Sequence, residues 1–406
     1  MRIQTNNSLN ILSYLHDESL IELTEEGTEI FNQIILDFLT ELSKSLINDT
    51  ELRKHSELVS FAFYCRQANL NKLKHQFTQS RDFRIGKGIV FHITPGNVPM
   101  NFAYSLLSAM LSGNSSIVRV PTREFIEVVI LISRINSLLK RERFKEVLQR
   151  VLIVRYDSST EWTSYFSQKC DVRVIWGGND TINNIRRNPI KPSANEVTFY
   201  DRFSVSVFSA KAIVDASSLN QLASNFFIDT LFYDQNACTS PKQIFWLGDK
   251  ETIRKAKNRF WGKFELELRN RQYSFPVNSS VSKLCTVMEK LATGELRDSQ
   301  ISLTEGFPLS RIPLSYKTEF DEDDYVKAGL FFETSIDELA EIDYFLSSNC
   351  QTLSYYGLER SDLEAFVATV RPQIDRVVPV GRTMEWSFIW DGYNLINTLS
   401  RIIAIL

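Results

Sequence analysis

Residues 88–99 read Gly88-Ile89-Val90-Phe91-His92-Ile93-Thr94-Pro95-Gly96-Asn97-Val98-Pro99. The run Gly88–Ile93 suits a buried strand, and Pro95 and Pro99 then restrict the chain around Gly96-Asn97. A helical pattern follows over 100–112. A rigid turn at the C-terminal end of a parallel strand is where α/β proteins place ligand groups. Asn97 therefore has two readings at this point: an amide aimed at an oxyanion, or a cap for the helix starting near Met100.

The same grain continues downstream. Short apolar runs at Ser116–Val120, Val151–Arg155, Val172–Trp176, Ser204–Phe208, Gln243–Leu247, Gly329–Glu333, Thr352–Tyr356 and Arg376–Val380 predict strands. Helical patterns lie between and after them, over 123–142, 179–187, 217–230, 249–269, 280–292, 335–347, 359–369 and 390–403. This alternation predicts an α/β fold with parallel sheets covered on both faces. Residues 1–82 read as mostly helical. There Ser19 to Leu46 carries apolar residues at helical spacing, and Gly27 interrupts them. The irregular stretch 294–326, with its acidic run Glu319 to Asp324, predicts a long surface loop.

A chain of 406 residues exceeds one ordinary domain. Its net charge of −3 gives no reason to expect a nucleic-acid or membrane-surface partner. No apolar run of about 20 residues predicts a spanning helix, and no signal-peptide pattern opens the sequence. The five cysteines are scattered, with no Cys-x-x-Cys pair. Neither a disulfide framework nor a metal site is expected, and a reducing cytoplasm is the expected location.

One cysteine stands apart. Cys238 lies in Asp234-Gln235-Asn236-Ala237-Cys238-Thr239-Ser240-Pro241, a polar loop between a helix and a strand. Such a setting exposes a thiol, whereas the other cysteines sit in apolar or helical settings and read as structural. No Gly-x-Gly-x-x-Gly occurs, so the usual dinucleotide fingerprint is absent. Gly177-Gly178-Asn179-Asp180 offers a substitute. It follows the apolar strand ending at Trp176 and opens a helix, where backbone amides can meet phosphate. A plain glycine turn with an Asn/Asp cap is the alternative reading.

Taken in order, these segments resemble the aldehyde dehydrogenase superfamily. Residues 93–99 are similar to its Thr-Pro-Trp-Asn-Phe-Pro strand end, Ser116–Thr122 to its cofactor-contacting strand, and Gln235-Asn236-Ala237-Cys238 to its Gln-Gly-Gln-Cys loop. Within it, the closest resemblance is to LuxC-type acyl-CoA reductases, the fatty-acid reductase subunits of bacterial luminescence and their relatives. The carrying motifs are Pro95–Pro99, Trp176-Gly177-Gly178-Asn179-Asp180-Thr181-Ile182, Asp201-Arg202-Phe203-Ser204, Asp234–Pro241, Arg376–Gly381 and Trp390-Asp391-Gly392-Tyr393-Asn394-Leu395-Ile396. They span about residues 88 to 400 in the family's order.

The resemblance implies two parallel-sheet α/β domains, one a Rossmann-like cofactor domain, with a helical N-terminal region. The implied limits are 1–212 for the helical N-terminus plus nucleotide-binding domain and 213–375 for the catalytic domain. Residues 376–406 would return to the cofactor domain. Cys238 would be the nucleophile and Asn97 the oxyanion donor. Thr94, Pro95, Arg119, Arg123, Gly177, Gly178 and Asn179 would bind the cofactor. Arg119 and Arg123 favour NADPH over NADH, since guanidinium pairs well with a 2′-phosphate. The implied activity is reduction of an acyl-CoA or acyl-protein thioester to an aldehyde through a thioacyl-cysteine. The runner-up is a CoA-acylating aldehyde dehydrogenase running oxidatively. A third reading is a non-catalytic subunit of an acyl-transfer complex, against which Cys238 and Asn97 together count. Implied partners are an acyl-CoA or acyl-carrying protein and acyl-transferase or synthetase subunits, and the resemblance allows a homo-oligomer. The superfamily's hydrolytic Glu has no counterpart in Thr198-Phe199-Tyr200-Asp201-Arg202, and Glu196 is out of register. That loss suits a thioester meant to meet hydride instead of water.

Overall fold

The Ile89–Ile93 strand is buried at every residue and forms the inside of a six-stranded sheet. A computed structural model describes residues 1–4, 8–15, 20–79, 82–275, 277–292, 302–304, 307–314, 329–369 and 374–405. They divide into two units, Met1–Tyr200 with Phe388–Leu406, and Asp201–Ser387.

In the first unit the strand order is Asn10–Ile11, Val151–Arg155, Ser115–Arg119, Ile89–Ile93, Val172–Trp176, Asn195–Phe199. All pairs are parallel except the first. Continuous Val/Ile runs are what a sheet covered on both faces requires. One face buries Phe91, Ile117, Leu152, Val154 and Ile175 against Trp162 and Phe166 of the Trp162–Lys169 helix. On the other, Phe38, Leu42, Ala103, Leu107 and Ile135 close around Val151. That face also buries His92, whose Nδ1 lies 2.7 Å from the Ser105 hydroxyl. Burial pushes the His92 pKa down to about 3, so the ring stays neutral.

In the second unit seven strands run in the order Ser302–Thr304, Phe307–Pro313, Leu330–Ile336, Pro241–Leu247, Phe203–Ser209, Cys350–Tyr356, Arg376–Pro379. Only the first pair is antiparallel. The Asn220–Thr230 and Lys250–Asn270 helices supply Phe226, Phe260, Trp261 and Phe264 to one core, which also holds Phe208 and Trp246. Leu363 and Phe366, from the Arg360–Thr369 helix, pack with Val205, Val207 and Leu353 in another.

Several expectations are corrected. No single helix spans 19–46. Leu20–Glu22 is a strand paired with Arg2–Gln4, and the helix is Gln33–Ile47, started by Asn32, whose side chain accepts from the Ile34 amide at 3.0 Å. Ser19 lies outside the described residues. Gly27 explains the break: a Cβ there would sit 2.0 Å from the Gly86 carbonyl oxygen. Only bare backbone fits, and beside it the Thr28 amide bonds the Gly113 carbonyl at 2.8 Å. The tail 390–403 is not one helix either. A short Leu395–Leu399 helix leads into a Ser400–Ile403 strand antiparallel to Phe83–Gly86, where Ile402 and Ile403 suit a strand. The helix expected over 335–347 is a strand end to Ile336 and a 3₁₀ segment, Leu339–Phe345. Within 294–326 the described parts, 302–304 and 307–314, hold two strands. Glu319 to Asp324 lie outside the described residues.

The unit boundaries also differ from 212/213 and 375/376. Phe203–Ser209 pairs on both sides with strands of the second sheet, and Arg376–Pro379 pairs with Cys350–Tyr356. Both therefore belong to the second unit, and the chain rejoins the first at Phe388.

Candidate active site

In the first unit the strand order reverses between Ile89–Ile93 and Val172–Trp176. Open α/β sheets bind ligands outside the carboxyl ends of strands at such a switch point. The sequence-predicted cofactor residues collect at that end of the sheet. Thr94 and Pro95 follow one flanking strand, Gly177 and Gly178 follow the other, and Arg119 closes its neighbour. The Thr94 hydroxyl donates to the Arg119 carbonyl at 2.8 Å, tying two strand ends together. Gly178 precedes the Asn179–Arg186 helix and supplies no side-chain cap. The first amides of a helix have no intrahelical acceptor, and such a start can receive a phosphate. A Cβ on Gly177 would meet Thr181 Cγ2 at 3.1 Å.

The Arg119 guanidinium lies 5.0 Å from the Tyr156 ring centroid and donates to the Tyr156 carbonyl at 3.4 Å. Its buried Nε has no hydrogen-bond partner among the described residues. Arg123 is exposed and sits over the Phe125 ring. A helix start with a glycine N-cap, a crowded glycine turn and an arginine with an orphaned donor fit a dinucleotide phosphate.

Asn97 is exposed in the turn before the Asn101–Leu111 helix. The N-cap residue of that helix is Met100, whose side chain makes no cap bond.

In the second unit Cys238 is exposed on the loop between the Asn220–Thr230 helix and the Pro241–Leu247 strand. Cys65, Cys170 and Cys350 are buried, and burial pushes the Cys170 thiol up to about 12. Cys285, on the Val277–Ala292 helix, is exposed. The loop is not relaxed. Asp234 and Gln235 both hold left-handed backbone, φ 51° and 57°, which costs roughly 1–2 kcal/mol per non-glycine residue. Side chains hold it there. Gln235 is fully buried; its Oε1 accepts from the Gly329 amide at 2.6 Å and its Nε2 donates to the Pro241 and Leu330 carbonyls at 3.3 Å. Lys242 donates to the Gln235 carbonyl, and Tyr273 donates to Asp234. The Ser204 hydroxyl donates to the Cys238 carbonyl at 2.8 Å. The Gln351 side-chain amide donates to Cys238 Sγ at 3.4 Å.

Arg202 secures the strand ends below this loop. It donates to the Asn349 and Cys350 carbonyls at 3.4 and 2.6 Å and pairs with Asp375. Glu196, in the first unit, is held by Arg173 at 2.5 Å and Arg186 at 2.7 Å. It serves as an ion-pair partner there.

A family profile described as acyl-CoA reductase (LuxC) matches residues 66–283, more than half of the chain. The chain belongs to the LuxC acyl-CoA reductase family. LuxC-family relatives include the long-chain acyl-protein thioester reductase of Aliivibrio fischeri, 23% identical over 304 residues, 73% of this chain and 58% of the relative. That of Vibrio harveyi is 24% identical over 315 residues, again 73% of this chain and 59% of the relative. The chain thus spans under two thirds of those proteins' lengths. The fold is that of the aldehyde dehydrogenases. A lactaldehyde dehydrogenase structure superposes with TM-score 0.65 at 10% identity, covering 91% of this chain and 86% of the other. The aldehyde dehydrogenase KauB from Pseudomonas aeruginosa gives TM-score 0.64 at 10% identity, with 92% and 83% covered.

Sequence reasoning missed Ser204, Gln351 and Asp229 in this LuxC-family chain. Asp229 is fully buried and accepts from the Gly381 amide at 2.6 Å, the Thr383 amide at 3.1 Å and the Thr383 hydroxyl at 3.0 Å. Next to Thr383, Met384 Sδ accepts from Thr239, the residue after the thiol, at 3.0 Å. Burial raises the Asp229 pKa from 3.8 to about 6. Its ionisation therefore opposes folding: stability from this group is present below about pH 4 and lost as pH rises through 6. Relative to Asp229→Asn, the wild-type chain should lose about 2 kcal/mol between pH 4 and pH 7. Urea unfolding of both proteins across that range checks it, and parallel curves would refute it.

Proposed function

We propose that this chain reduces an acyl thioester, carried on CoA or on a protein, to an aldehyde, with Cys238 carrying the acyl group. Membership of the LuxC acyl-CoA reductase family supports the reaction class. The observation that carries the residue assignment is the exposed Cys238, on a loop that a buried Gln235 holds in left-handed backbone.

The Cys238 thiolate would add to the thioester carbonyl, with the Cys238 amide N–H and the Asn97 side chain holding the oxyanion. Collapse expels CoA or the carrier thiol as thiolate, a leaving group that needs little proton help. Acyl transfer between two sulfurs is nearly thermoneutral, so positioning matters more than strong acid–base groups. Bound at the first unit's switch point, NADPH would supply the hydride that converts the thioacyl carbon to an aldehyde. Thr94, Pro95, Gly177, Gly178 and Asn179 would hold its phosphates and backbone. Arg119 and Arg123 would meet the 2′-phosphate. Glu196 is engaged by Arg173 and Arg186 within the first unit.

The test is a panel of acyl-CoAs and acyl-carrier-protein thioesters with NADPH and with NADH, reading trapped aldehyde. Aldehyde formation dependent on reduced cofactor is expected, faster with NADPH. In Arg119→Leu and Arg123→Leu, KM for NADPH should rise about tenfold, as for a lost charge-assisted pair, while KM for NADH stays within twofold. No aldehyde from any thioester, or faster oxidation of aldehyde with CoA, would overturn the reading.

A further inference from the structure

Gln351 lies 113 positions from Cys238 in sequence, yet its side-chain Nε2 donates to Cys238 Sγ at 3.4 Å. The thiol is exposed whereas Gln351 is fully buried, so the donor approaches from beneath the loop. Its backbone is fixed independently. Gln351 is the second residue of the Cys350–Tyr356 strand, its carbonyl accepts from the Asp375 amide at 3.0 Å, and Arg202 binds the carbonyl of adjacent Cys350 at 2.6 Å. Burying a polar side chain is costly unless its hydrogen bonds are made. Here one of them goes to the sulfur.

We infer that Gln351 favours the thiolate of Cys238 and aims its lone pairs. This rests on the reading of Cys238 as the acyl carrier. A thiolate accepts only, so the amide bond strengthens when the proton leaves; a bond to an ionised partner is roughly twice as strong as a neutral one. An uncharged donor also leaves no positive charge to hold the departing thiolate in place. Nearby charged groups among the described residues have partners of their own. Lys242 donates to the Gln235 carbonyl, Arg202 pairs with Asp375, and Arg376 donates to the Thr383 and Glu385 carbonyls at 3.1 and 2.9 Å. Asp234 accepts from Tyr273, and Asp229 accepts from Gly381 and Thr383.

The test is the pH dependence of Cys238 alkylation by iodoacetamide, read by peptide mass in a Cys285→Ser background because Cys285 is also exposed. In Gln351→Leu the midpoint should move up by about one pH unit, and labelling at neutral pH should slow about tenfold. Gln351→Glu, which places a carboxylate against the sulfur, should move it at least as far. Gln351→Met fills the site without a donor and should match Gln351→Leu, which guards against one variant failing to fold. An unchanged midpoint in folded Gln351→Leu or Gln351→Met overturns the inference. Alkylation does not require turnover, so this outcome is separate from failure of the acyl-carrier reading, which would appear as aldehyde formation by Cys238→Ala.

Discussion

Replacing Cys238 with alanine should remove acyl labelling and aldehyde formation together. The expected loss in turnover is about 10⁴-fold or more, the scale seen when a covalent nucleophile is deleted. The fold should survive. The side chain is exposed, its carbonyl keeps the Ser204 bond, and the loop is held by Gln235 and Lys242. Incubation with a radiolabelled acyl-CoA in the absence of reduced cofactor would report the acyl-enzyme. A parallel aldehyde assay and a thermal melt complete the comparison. Label retained on the variant, or unchanged turnover, would end the covalent mechanism.

Asn97→Ala should lower turnover by about 10²–10³, the usual cost of one oxyanion donor, while NADPH affinity changes less than twofold. The helix beyond it begins at Asn101, with Met100 as its N-cap residue. Pro95 and Pro99 continue to restrict the turn. Single-turnover aldehyde formation and fluorescence titration of NADPH separate the two effects. An equal fall in both would make Asn97 a structural residue of the turn.

The strands expected between Gly88 and Val380 are all present, because β-branched runs such as Val151–Arg155 and Val172–Trp176 have no other economical arrangement than a buried parallel sheet. The strand Asn195–Phe199 was not expected; among the described residues it is an edge strand paired with Val172–Trp176, and its polar Asn195, Glu196 and Thr198 give no apolar run. The N-terminal helix was drawn too long because apolar spacing cannot register backbone contact between Gly27 and Gly86, 59 residues apart. The thiol was legible because its loop is polar and local. Gln351 was not, since it lies in an ordinary strand and only pairing of Cys350–Tyr356 with Phe203–Ser209 brings it under the loop. The role of Asp201-Arg202-Phe203-Ser204 was equally hidden: the motif contributes a strand clamp through Arg202 and a loop tether through Ser204.

The Arg202 clamp has a dynamic consequence. Its guanidinium joins Asn349, Cys350 and Asp375, while the Phe203 amide bonds the Asn349 carbonyl at 3.2 Å and the Asp375 amide bonds the Gln351 carbonyl at 3.0 Å. The starts of three neighbouring strands are cross-linked at one point, so none can fray alone. Their amides should exchange with deuterium as one cooperative group, near the slow limit set by global unfolding of that unit. Such a floor lets the thiol stay at the surface while the amide beneath it remains as still as the core.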